Sequence, residues 1–124
     1  GEGLPLGRRV PSMPAARRPV DFDLKYFNKG GNKIDKLQVV NRGSESVFDV
    51  TLELPENAGI EFVDHTSLPI EKIPGGGKSV TIDVYSRLRN FGGGARKSAF
   101  DIIVRGRIQD GERVEQDVFV DLNG

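Results

Sequence analysis

Along most of this chain, apolar residues return at every second position. Val20, Phe22, Leu24 and Tyr26 alternate with Asp21, Asp23 and Lys25. That period places successive side chains on opposite faces of an extended strand, one facing a core and one facing water. The same rhythm predicts a strand over 34–41, with Leu37 and Val39 inward. It is clearest where Phe48, Val50, Leu52 and Leu54 alternate with Asp49, Thr51 and Glu53, until Pro55 ends it. A helix would need its apolar residues three and four apart. Residues 60–63 read as a short strand, and 64–77 as a long connection that touches the core at Leu68, Ile70 and Ile73. Val80, Ile82 and Val84 face inward on the next strand, and Phe100, Ile102 and Val104 on a longer one over 98–108. Val114, Val118, Val120 and Leu122 mark the last strand.

Turn residues separate these segments: Asn28-Lys29-Gly30-Gly31-Asn32, Asn41-Arg42-Gly43-Ser44 and Asp110-Gly111. About seven strands punctuated every ~8–12 residues predict an all-β fold, an immunoglobulin-like β-sandwich of antiparallel strands over residues 20–124. No segment reads as an amphipathic helix. Residues 1–19 are different: they hold four of the seven prolines and show no apolar period. They are expected to form a disordered, flexible arm or linker.

Charge sharpens that division. The chain is neutral overall, but the arm carries Arg8, Arg9, Arg17 and Arg18 against Glu2, a net +3, leaving the body at −3. An anionic membrane surface is therefore an expected partner for the arm. A membrane helix just upstream would place the domain on the cytoplasmic face. A chain that opens on Gly1-Glu2 rather than Met reads as processed or cut from a longer one.

Little in the composition points to chemistry. There is no Cys, so no thiol nucleophile or cysteine metal site. Gly75-Gly76-Gly77-Lys78-Ser79 resembles the end of a phosphate-binding loop, but Lys72 stands where that motif requires its first Gly. A strand pattern follows where the motif requires a helix N-terminus. His65 is the only histidine and is expected on the surface; one His makes neither a hydrolytic triad nor a zinc site. Outward carboxylates such as Asp21, Asp23, Asp49 and Glu53 read as a solvated sheet face rather than a calcium site. No catalytic, cofactor or metal residue is assigned. The segment 86–97 stands out, with Arg87, Arg89, Arg96, Lys97 and Phe91 around three glycines and no acid. It is the expected contact for a protein partner or an anion. Nucleic acid is not expected, because the body is acidic.

Two stretches carry a family resemblance. In Val39–Pro55, VVNRGSESVFDVTLELP, Asn41 and Gly43 fit the turn, and Val47, Val50 and Leu52 the following strand, of CARDB-like bacterial immunoglobulin-like modules. The stretch 70–84, IEKIPGGGKSVTIDV, is similar to the turn entering that family's fifth strand. The resemblance covers 39–122 and implies a non-enzymatic protein-interaction or spacer module of a bacterial membrane- or envelope-associated protein. The competing expectation is a carbohydrate-binding accessory module of a secreted protein. Sugar platforms want exposed aromatics; Trp is absent, and Tyr26 and Tyr85 are the only tyrosines.

Overall fold

In a computed structural model, the structure describes residues 7–9 in backbone and residues 18–30, 34–63, 68–88 and 96–123 throughout. Nine strands follow one another: β1 (Gly7–Arg9), β2 (Phe22–Phe27), β3 (Asp35–Asn41), β4 (Val47–Glu53), β5 (Ile60–Phe62), β6 (Ile70–Ile73), β7 (Lys78–Ser86), β8 (Ala99–Arg107) and β9 (Arg113–Asp121). No described residue is helical. One sheet runs β1-β9-β8-β4-β6 and the other β2-β3-β7-β5. All pairings are antiparallel except that of β1 with β9. The chain changes sheet at each step from β3 to β8, giving an unclosed, immunoglobulin-like β-sandwich. The expected disordered arm lies largely outside the described residues. From it, Gly7–Arg9 form β1, and Arg18 and Pro19 meet the next turn through Ser44 N→Arg18 O and Glu45 N→Pro19 O, both 3.0 Å.

Both sheets contribute to a single core. Leu37, Val39 and Val84 from one sheet and Val47, Val50, Ile102 and Val104 from the other are fully buried. Each aliphatic side chain taken out of water contributes about 1.5–3 kcal/mol. At one side of the sandwich, Gln116 occupies an inward position among the valines of β9. Its amide copies a strand pairing: Phe22 N donates to Gln116 Oε1 at 2.8 Å, and Gln116 Nε2 donates to Phe22 O at 3.2 Å. That joins the β2 edge to the opposite sheet.

β4 departs from the alternation read along it. Its register with β8 shifts between Phe48 and Thr51, and Asp49 takes a left-handed φ of 52°. This is a β-bulge, one residue more than the partner strand supplies. It reverses the phase: Val47, not Phe48, points into the core, three residues before Val50. Phe48 is half-exposed, with Lys72 Nζ 5.7 Å from its ring centroid. Gly106 lies opposite the bulge; a Cβ there would sit 2.5 Å from Val47 Cγ1 and 3.0 Å from Phe48 O. The connection expected over 64–77 also contains β6, which pairs Ile73 with Val47 and Ile70 with Val50. Its two inward residues repeat the three-residue spacing of the bulged strand, so no period of two marks it.

Asn41 ties two turns together. It is fully buried, donating to Glu45 O at 2.8 Å and Ile73 O at 2.9 Å, while its Oδ1 accepts from Gly43 N at 3.1 Å. The Gly75-Gly76-Gly77 turn docks on the same corner. Gly76 and Gly77 have φ of 82° and 91°, a region L-residues with side chains rarely enter.

Candidate functional site

The segment expected to make contacts sits where β5 meets the end of β7 and the start of β8. β5 pairs with the last residues of β7, Ile60 with Ser86 and Phe62 with Val84, which brings Glu61 beside Arg87. Arg87 Nε donates to Glu61 Oε2 at 2.9 Å and Nη2 to Oε1 at 3.4 Å, while the guanidinium carbon lies 5.3 Å from the Tyr85 ring centroid. Arg96, from the far side of the loop, brings Nη1 to 3.9 Å from Glu61 Oε2 and donates to Ala58 O at 3.5 Å. Lys97 is exposed beside them, its backbone N–H bound to Asn57 O at 2.7 Å. The structure thus brings Arg87 and Arg96 to an acid that the loop itself lacks, with Lys97 next to Arg96 in the chain. Arg89 and Phe91 lie outside the described residues, as does His65. The Glu61 pairs are about half-exposed, the kind of ion pair that contributes about 0–1 kcal/mol and exchanges readily.

The arm arginines are not gathered there. Arg8 and Arg9 lie on β1, beside Val114 and Glu115 of β9, and are described in backbone only. Arg17 lies outside the described residues, and Arg18 Nη1 donates to Asp21 Oδ1 at 3.3 Å. The Gly75-Gly76-Gly77 turn commits its N–H groups internally: Gly76 N donates to Gly43 O and Gly77 N to Asn41 O, both at 2.8 Å. Those donors close a turn.

A second charged region, not singled out by the sequence, lies on the outer face of β4, β8 and β9. Arg105 is held by two acids, Glu53 Oε1 at 2.5 Å and Glu115 Oε2 at 2.9 Å. These contacts raise its pKa further above the ordinary arginine value, the Glu53 hydrogen bond most. Arg107 Nη2 donates to Asp49 Oδ2, on the bulge. Arg113 stands directly across from Arg107 in the β8–β9 register and has no side-chain partner among the described residues. Asp49, Thr51, Arg105, Arg107, Arg113 and Glu115 line a depression of about 400 Å³ floored by the backbone of Gly106 and Val114.

One buried polar pair lies apart from both regions. Asp35, 5% exposed, accepts hydrogen bonds from the Tyr26 hydroxyl and from Lys29 N at 2.9 Å. Burial and the Asp35 carboxylate push the Tyr26 pKa above its ordinary value, against a smaller opposing effect from a Ser86 hydrogen bond. Among the described residues, no group of three His, Cys, Asp or Glu side chains is placed to hold a metal ion.

In comparisons with protein-family models, curated proteins and solved structures, nothing matches this chain. Its geometry is therefore the basis for a functional reading.

Proposed function

We propose that the domain is a non-enzymatic protein-interaction module, CARDB-like, of a bacterial membrane- or envelope-associated protein. Its partner docks at the β5 end. The observation that carries this reading is the convergence of Arg87 and Arg96, from opposite sides of the β7–β8 loop, on the single carboxylate of Glu61. β5 is also an edge strand, paired only with β7 among the described residues. An edge offers backbone donors and acceptors to an extended segment. Acidic side chains on that segment then exchange with Glu61 for Arg87, Arg96 and Lys97. The affinity comes from main-chain pairing, and the charges select the partner.

The test is a photo-crosslinker placed at Lys97 to capture the partner in cells, followed by a binding titration. Reversing charge at Arg87, Arg96 and Lys97 is expected to weaken the captured complex by tenfold or more, about 1.4 kcal/mol. An affinity that does not change with those reversals removes the assignment.

A further inference from the structure

The depression on the outer face of β4, β8 and β9 has an imbalance that its own residues do not resolve. Three guanidinium groups and two carboxylates, Asp49 and Glu115, line it, with Glu53 reaching Arg105 from its border, and they are unevenly matched. Arg105 takes both Glu53 and Glu115, Arg107 takes Asp49, and Arg113 takes none among the described residues. Arg107 and Arg113 are directly opposed across the β8–β9 pair. Like charges in that position repel, and side chains there are about 5 Å apart at Cβ. Two arginines side by side on the same sheet face, both lining a shallow cavity, make a receptor for a group with two acceptor oxygens.

The bulge borders this arrangement. Asp49, its left-handed residue, holds its carboxylate against Arg107, and Gly106 lets the bulged strand lie close to β8. Thr51 adds a hydroxyl to the lining.

We propose that this depression is a carboxylate-binding site, in which Arg107 and Arg113 share the ligand's two oxygens and Thr51 donates beside them. The neighbouring Asp49 and Glu115 set the ligand's charge. A single carboxylate matches Arg113, which has no partner among the described residues, whereas a phosphate dianion or a nucleic-acid strand meets both acids and, farther along β9, Asp117 and Asp121. The site is independent of the β5 end, which belongs to the other sheet. Its ligand is either an acidic side chain of a protein or a free dicarboxylic acid, which share this chemistry.

The experiment is a nuclear magnetic resonance titration of the full 124-residue chain with glutarate and, separately, with a terminally blocked tetraglutamate peptide. Saturable shifts are expected at the Arg107 and Arg113 side-chain N–H groups and at the Gly106 and Val114 amides. Arg113→Gln is expected to weaken binding about tenfold, as loss of a hydrogen bond to a charged group does. Asp49→Asn removes the competing carboxylate and is expected to tighten it; Asn tolerates a left-handed φ, so the bulge survives. Lys25→Gln, on the other sheet and outside both regions, is expected to change nothing, and shifts around Arg87 are followed separately, which distinguishes this site from the β5 end. Tighter binding of the peptide assigns the site to a protein's acidic segment, and equal or tighter binding of glutarate assigns it to a free dicarboxylate; both support the proposal. Shifts that never saturate with either probe, or that ignore Arg113→Gln and Asp49→Asn, overturn it.

Discussion

Asn41 shows how much one side chain can organise. Its amide satisfies two carbonyls and one N–H from two different turns, all in the protein interior. Truncation strands these groups away from water, at about 1–3 kcal/mol for each group left unsatisfied. Asn41→Ala is therefore expected to lower unfolding stability by about 3 kcal/mol, read as a drop in the urea midpoint at unchanged slope. Tyr26 makes a prediction with a pH signature. Its folded pKa is raised, so its hydroxyl stabilises the fold fully below the unfolded value, near ~10, and this contribution is lost as pH rises beyond it. At pH 7 Tyr26→Phe is expected to cost about 1–3 kcal/mol, because the buried Asp35 loses a donor. Above pH 10 the gap between variant and parent is expected to narrow; a constant gap would show that Tyr26 does not titrate in this way. The sequence placed Asn41 in a turn but not at the centre of one. Gln116 was passed over altogether, because a polar residue on an inward position breaks the alternation that marks a strand. Its partner, the backbone of Phe22, is 94 residues away.

Among elements, β4 and β6 explain each other. The bulge moves Val47 inward, and β6 follows the same spacing so that Ile73 and Ile70 meet Val47 and Val50. Alternation identified seven of the nine strands because most of the strands are regular and half-buried. It failed at β6, where the period is locally three, and at β1, where Gly7-Arg8-Arg9 has no apolar residue to follow. Gly106 is the hinge of the arrangement. Gly106→Ala places a methyl 2.5 Å from Val47 Cγ1. The strain is expected to destabilise the fold by about 1–3 kcal/mol. Adding Val47→Ala, which removes that methyl contact, is expected to recover part of the loss, giving a non-additive double-mutant cycle by chemical denaturation.

For the molecule as a whole, turn spacing was enough to indicate a two-sheet sandwich. The assignment of strands to sheets was not legible, because it depends on pairings between distant segments. The same limit applies to the sites. Arg87, Arg96 and Lys97 stood out as a basic run, but Glu61 joined them only through the β5–β7 pairing. The depression at the bulge draws on β4, β8 and β9, and no one of them carries a motif. One pairing also bears on how the molecule carries load. β1 and β9 run parallel, and they come from opposite ends of the chain. A pull on the two ends draws these strands past each other along their own axes. Gly7, Arg8 and Arg9 then share the force against Arg113, Val114 and Glu115 at once, where an antiparallel hairpin would unzip one bond at a time. Three residues of backbone thus form a shear contact between the first and last strands, so that stretching the chain loads all of their pairings together.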